Sequence, residues 1–295
     1  MAINLAKYYV GLLDEAYKLA SVSGDLTAPA TMIRAGANAK EILYPVMTVT
    51  GLGDYSRSSG YTDGAVNLEW KTAAFDYDRG TKIAVDVMDN AESMNLAFGM
   101  AGGELIRTQV APEGDAYTFA KLCAGAGHKI AATLSTVANF MDALQACKTQ
   151  MDEDEVPESE RYLYVTPTLY NMTLRLENYQ NRELLDSFAK VVRVPQSRFY
   201  SAIDLQDGSN DNFGYVKHVS TGLSDAAGVD INFLVVHKPA VMKFDKHVAS
   251  DVIRAAGNPD MDADIIKYRK YGICEVFYNK GQFRQHQVQG TSERW

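Results

Sequence analysis

The residue types able to do chemistry are present in this chain but scattered. Cys123, Cys147 and Cys274 are far apart, form no CxxC pair and have no metal-ligand spacing. They read as buried thiols of a reducing cytoplasm. His128, His218, His237, His247 and His286 include no HExxH and no i, i+4 pair, so they read as satisfied or surface histidines. Asp260, Asp262 and Asp264 alternate behind Asn258-Pro259, and three such carboxylates on one side of a loop suit Ca²⁺. No Gly and distal Glu complete a calcium loop, and the stretch reads as a solvated turn between strands. Gly51-Leu52-Gly53-Asp54-Tyr55-Ser56 is one step from a dinucleotide fingerprint and follows a strand candidate. No helix follows to meet a phosphate with its N-terminus, so it reads as a mobile assembly loop. Asp152 to Glu155 reads as a solvated helix end. With no GxSxG elbow and no P-loop, no catalytic residue, metal or cofactor is assigned, and the reading is non-enzymatic.

The elements around these residues carry more information. With 295 residues and 46% hydrophobic composition, the chain can bury one large or two medium cores. A net charge of -8 argues against a dedicated nucleic-acid binder, leaving weak, nonspecific contact with DNA. Met1 to Val10 has no secretory core, and no uncharged apolar run of about 18 residues occurs, so a soluble protein without a signal peptide and without membrane contact is expected.

Along the chain, Leu5 to Leu19 has helical spacing and leads through Ser23-Gly24-Asp25 into a linker. Tyr44 to Thr50 is a strand candidate, and glycines and serines dominate Gly51 to Gly64. Val66, Leu68 and Trp70 alternate with Asn67, Glu69 and Lys71, predicting a strand with one buried face. Asp78-Arg79-Gly80 predicts a turn, with Ile83, Val85 and Val87 on the return arm. Asp89-Asn90-Ala91-Glu92 then caps a helix whose stripe runs through Met94, Ala97, Phe98, Ala101, Leu105 and Ile106. Pro112 predicts a kink or break near Val110. Thr136 to Met151 is an amphipathic helix, Tyr162 to Val165 a short strand, and Pro167 starts a further helix. Val191 to Val194 is a strand stopped by Pro195, Ile231 to Val236 a central strand, Val241 to Phe244 an edge, and Ile265 to Lys280 a long strand or strand pair. A long two-stranded hairpin is marginal alone, which points to completion by a neighbouring subunit.

That order resembles the major capsid proteins of tailed bacteriophages, the HK97-like coat fold, over nearly the whole chain. "FDYDRGTKIAVDVMDNAE" looks like the return of the extended loop into the spine, and "ELIRTQVAPEGDAYTFAKL" is similar to a spine helix. "ERYLYVTPTLYNMTL" looks like the axial strand and helix; "LVVHKPAVM" and "DADIIKYRKYGICEVFYNKG" look like the return strands. The resemblance implies an α+β fold: N-terminal arm at 1–40, extended β-hairpin loop at 41–88, and peripheral domain with long spine helix at 89–130. An axial domain at 131–240 and return strands of the peripheral domain at 241–295 complete it.

It further implies a virion shell built from hexamers and pentamers around double-stranded DNA, assembled in the host bacterial cytoplasm. The implied partners are a portal protein, an optional decoration protein and a separate scaffolding protein, since Met1 leads straight into arm-like sequence. Inter-subunit contact is expected at Val66, Leu68, Trp70, Tyr55, Arg57 and Tyr61. The rivals are an encapsulin-type bacterial compartment shell and a soluble α/β enzyme with an unrecognised site.

Overall fold

The computed structural model describes residues 21–28, 34–35, 41–58, 60–92, 96–173, 179–221, 226–277 and 285–289. The helix expected over Leu5 to Leu19 lies outside them. In chain order the strands are β1 (Arg34–Ala35), β2 (Glu41–Val49), β3 (Val66–Ala74), β4 (Tyr77–Asp86), β5 (His128–Ala131), β6 (Arg161–Val165) and β7 (Lys190–Arg193). They continue as β8 (Ile203–Leu205), β9 (Tyr215–Lys217), β10 (Ile231–His237), β11 (Val241–Ile253), β12 (Ala263–Val276) and β13 (Gln285–Gln289). The helices are α1 (Val87–Glu92), α2 (Leu96–Leu105), α3 (Ala111–Ala124), α4 (Val137–Glu153), α5 (Pro167–Thr173) and α6 (Tyr179–Asp186). Two compact units result: Pro29–Asp76, and Met1–Ala28 together with Tyr77–Trp295.

The larger unit is built around a five-stranded mixed sheet in the order β5-β13-β10-β6-β7. Alternation along the strands sends side chains to two cores. Leu163, Val165, Phe233 and Val235 meet Phe140, Met141, Leu144, Cys147 and Met151 of α4. Tyr164, Leu234 and Val236 meet Phe119 and Leu122 of α3, where the Phe119 ring stands edge-on to Tyr164 at 5.1 Å and to Phe199 at 5.0 Å. The helix read from Thr136 is therefore present with its predicted face inward. Thr136 caps it, its hydroxyl accepting from Asn139 N at 3.2 Å. Replacing Thr136 by Ala is expected to cost about 1 kcal/mol, seen as a melting point lower by roughly 2 °C.

A second sheet, β11-β12-β4, is antiparallel throughout, with a bulge between Asp245 and His247. Here the structure overturns the expected hairpin. Asp78-Arg79-Gly80 is not a turn but lies in the first half of β4, which pairs with β12 from Ala263↔Asp86 to Gly272↔Tyr77. Gly80 serves close packing, since a Cβ there would lie 3.0 Å from the Tyr268 carbonyl oxygen. Arg79 is drawn along β4 by its partners: Nε donates to Glu113 Oε1 at 2.7 Å and Nη1 to the Gln206 carbonyl at 2.6 Å. The strand that β3 actually pairs with is β2.

Of the kink or break expected near Val110, the break is absent, and the helix instead changes its winding there. Ile106–Val110 forms a π-helical segment between α2 and α3, with right-handed helical backbone at Leu105 and Ala111, so the spine runs through. Pro112 falls in the first turn of α3, where its missing N–H is tolerated, and the widened turn takes up the misfit. Ile106 is buried with Val252, Ile266 and Tyr268 beneath the second sheet.

Several of the residues weighed for chemistry have structural partners. All three cysteines are buried free thiols, and burial pushes the thiols of Cys123 and Cys147 up in pKa. Asp264 accepts from Arg254 Nη1 at 2.8 Å and Ala255 N at 2.9 Å, closing the β11–β12 turn. The acidic end of α4 is solvated as expected, with Asp152, Glu153 and Glu155 exposed, and two of its carboxylates are also paired. Asp152 pairs with the buried Arg161 at 2.6 Å and Asp154 with His128 at 3.1 Å. Among the described residues, no group of His, Cys, Asp or Glu is placed to hold a metal ion, and no helix is long and apolar enough to cross a membrane.

Candidate assembly surface

The smaller unit carries the predicted contact residues. β2 and β3 pair antiparallel from Glu41↔Ala74 to Val49↔Val66, and β1 adds two residues at one end, Arg34↔Leu43 and Ala35↔Ile42. Directly opposed residues of an antiparallel pair share a face. Pro45 with Trp70, Met47 with Leu68, and Val49 with Val66 therefore form one apolar stripe. That stripe faces outward: Val66 is 66% exposed, Leu68 55%, Trp70 44%, Met47 58% and Val49 64%. On the alternate face Ile42, Tyr44, Val46 and Ala73 are buried. So the period-2 pattern over 66–71 predicted the strand, while the face expected to be buried is open.

The glycine-rich segment joins β2 to β3 and has structure of its own. Thr50 N donates to the Ala65 carbonyl at 3.0 Å and Ala65 N to Thr50 Oγ1 at 2.8 Å. Ser56 and Gly60 exchange backbone bonds of 3.0 and 2.7 Å, with Gly60 at φ +82°, where glycine carries no steric penalty. Arg57 sits in this small turn, exposed. The Tyr55 and Tyr61 rings meet edge-on at 4.9 Å and both are exposed, as is Leu52. The structure thus gathers Tyr55, Arg57 and Tyr61 in one loop and Val66, Leu68 and Trp70 on one ribbon. Pro45, Met47 and Val49 share that exposed stripe and were not read from the sequence as part of it. The signal was present, because two strand candidates flanking a glycine-rich loop make a hairpin.

In the larger unit, two buried polar centres fix the spine to its surroundings. Asp115 of α3 is fully buried and accepts from Ser21 Oγ at 2.8 Å, Val22 N at 3.1 Å, and Ser23 N and Oγ at 3.1 and 2.6 Å. Arg198 Nη1 balances its charge at 3.0 Å. Lys243 Nζ reaches Ser23 Oγ at 2.7 Å and the Ser23 carbonyl at 3.0 Å, and burial lowers its pKa below 10.5. Residues 21–28 are thereby seated in the core, with Leu26 packed among its aromatic groups. The second centre is Glu113, which takes two bonds from Arg79 and one from Tyr77 Oη at 3.1 Å.

No family model matches the chain, and no curated protein matches it. Solved structures do. The capsid of cyanophage P-SCSP1u is 14% identical with a TM-score of 0.60, covering 88% of this chain and 86% of its own. The mature capsid of bacteriophage PhiM1 gives 12%, 0.61, and coverage of 86% and 83%. A virus-like particle from Pyrococcus furiosus gives 10%, 0.55, and coverage of 96% and 99%. The chain has the HK97-like coat fold, of α+β class, as its sequence order indicated.

Proposed function

We propose that this chain is the major shell subunit of a tailed phage, self-assembling through hexamers and pentamers into an icosahedral capsid around double-stranded DNA, with no catalytic step. The observation that supports this best is the outward apolar stripe of Pro45, Met47 and Val49 against Val66, Leu68 and Trp70. A stripe of that kind on a ribbon is a contact awaiting a partner, and here it belongs to a chain folded like capsid proteins. In this reading the Pro29–Asp76 unit serves as the extended loop, the helices from Val87 to Ala124 as the spine, and the five-stranded sheet with α4 as the axial domain. The stripe lies against a neighbouring subunit, with Tyr55, Arg57 and Tyr61 at its far end. Weak pairwise contacts then close a stable shell because each subunit is held by several neighbours at once. A scaffolding protein, a portal and an optional decoration protein are the partners this role requires.

The test is expression of the full chain, alone and with a candidate scaffolding protein from the same gene neighbourhood, followed by sedimentation and electron microscopy. Closed megadalton particles are expected. A stable monomer under both conditions would remove the reading, and particles that capture an enzyme through a peptide tail would replace the phage shell with a bacterial compartment.

A further inference from the structure

Beneath the spine lies a cleft of about 450 Å³, between the π-helical segment, β4 and the loop joining β8 to β9. Its apolar lining comes from Leu105, Val110, Tyr268 and Phe213. The loop over it is held in shape. Gln206 N donates to the Gly214 carbonyl and Gly208 N to the Asn212 carbonyl, each at 2.9 Å. Arg79 clasps both ends of the loop, donating to the Gln206 carbonyl at 2.6 Å and the Gly214 carbonyl at 3.2 Å. Asn210 and Asp211 are in the left-handed region at φ 51° and 60°, so the loop keeps a turn that costs backbone energy. It presents Phe213 with 69% of its surface exposed at the edge of the cleft.

Both cations of the cleft are already paired, Arg79 with Glu113 and Lys270 with Asp245 at 3.2 Å, so an anionic guest would find no counter-ion of its own. Asp207 has no ion pair among the described residues; it accepts from Ser209 N at 2.9 Å and Oγ at 2.6 Å and is exposed, where pairing with a cation gains little. By contrast the Thr81 hydroxyl and the Gln109 carboxamide, both lining the cleft, have no partner among the described residues. Volume, apolar wall and a few polar groups match the general make-up of a ligand site. Its wall includes a π-helical segment, a feature often found where a helix serves function.

We propose that this cleft is a binding site for a neutral, mainly apolar molecule that carries one uncharged hydrogen-bonding end, directed at Thr81 and Gln109. The site belongs to a single subunit and does not depend on the shell-forming role.

Three near-isosteric probes test it on the full-length chain by saturation-transfer NMR and thermal shift: indole-3-propionamide, indole-3-propionate and tryptamine. The neutral amide is expected to bind at least tenfold more tightly than either charged probe. Gln109→Trp places a ring into the cleft from an exposed position and is expected to abolish binding with an unchanged circular dichroism spectrum. Thr81→Val is expected to weaken the amide several-fold. Absence of amide binding at millimolar concentration, equal binding of a charged probe, or undiminished binding by folded Gln109→Trp would each overturn the proposal.

Discussion

Replacing Asp115 by Ala is expected to remove about 3–5 kcal/mol of stability. The carboxylate is fully buried and serves two main-chain N–H groups, two serine hydroxyls and the Arg198 guanidinium. Its loss strands four donors and takes a counter-charge from Arg198, and a group left unsatisfied costs more than the bond it made. Asp115→Asn keeps the shape and one oxygen acceptor and should fall between wild type and Ala. Urea titration gives the size of the effect. Limited proteolysis gives its place, because residues 21–28 should become the first site of cleavage in the Ala variant. An unchanged urea midpoint in Asp115→Ala would show that the cage is incidental to folding.

The second large effect is on assembly. Leu68→Asp puts a charge in the middle of the outward stripe, where the subunit itself has little to lose. Its melting point should stay within the shift of about 0.5 kcal/mol typical of a surface substitution. Particle yield should fall by more than tenfold, since an unpaired carboxylate would have to be desolvated at every copy of the contact. Trp70→Ala should weaken the shell less abruptly, by about 2 kcal/mol per contact if the ring is an anchor, visible as particles that open at lower urea. Sedimentation paired with circular dichroism separates the cases. A parallel loss of melting temperature and particles would place the stripe in its own subunit's core, and normal particles from Leu68→Asp would remove it from the interface.

The parts of this fold that could be read from sequence are those where periodicity and burial agree. The helix at Thr136 has one apolar face because it lies on one sheet, and Ile231 to Val236 is apolar at every position but Asn232 because cores lie on both sides of it. Strand identity was legible; strand pairing was not. Asp78-Arg79-Gly80 has turn composition, yet each of the three residues meets a group distant in sequence. Asp78 pairs with Arg269 at 2.7 Å, Arg79 with Glu113, and Gly80 with the backbone of β12. The two ion pairs span 34 and 191 residues, beyond any local pattern. The same limit hid Asp115, one acidic residue in a helix whose five donors come from the chain's beginning and from Arg198. The outward stripe was half visible, because β3 announced itself by alternation while β2, read as a strand candidate from Tyr44 to Thr50, has apolar residues on both faces and so no outward face to read. Pro45 is tolerated in that strand because a strand residue facing away from the ladder needs no N–H.

The seating of residues 21–28 bears on how such a protein can be altered. Thr27 pairs with Lys243 of β11, Asp245 of β11 pairs with Gly272 of β12, and Gly272 pairs with Tyr77 of β4. The chain therefore departs from β11 just after Ala28 and rejoins the sheet at Tyr77, about three inter-strand steps across and two residues along, or roughly 16 Å away. A linker of about five extended residues spans that gap. Residues 29–76 are in this sense an insertion between two nearby points of one sheet, and a change in their length adds little to the entropic cost of closing that gap.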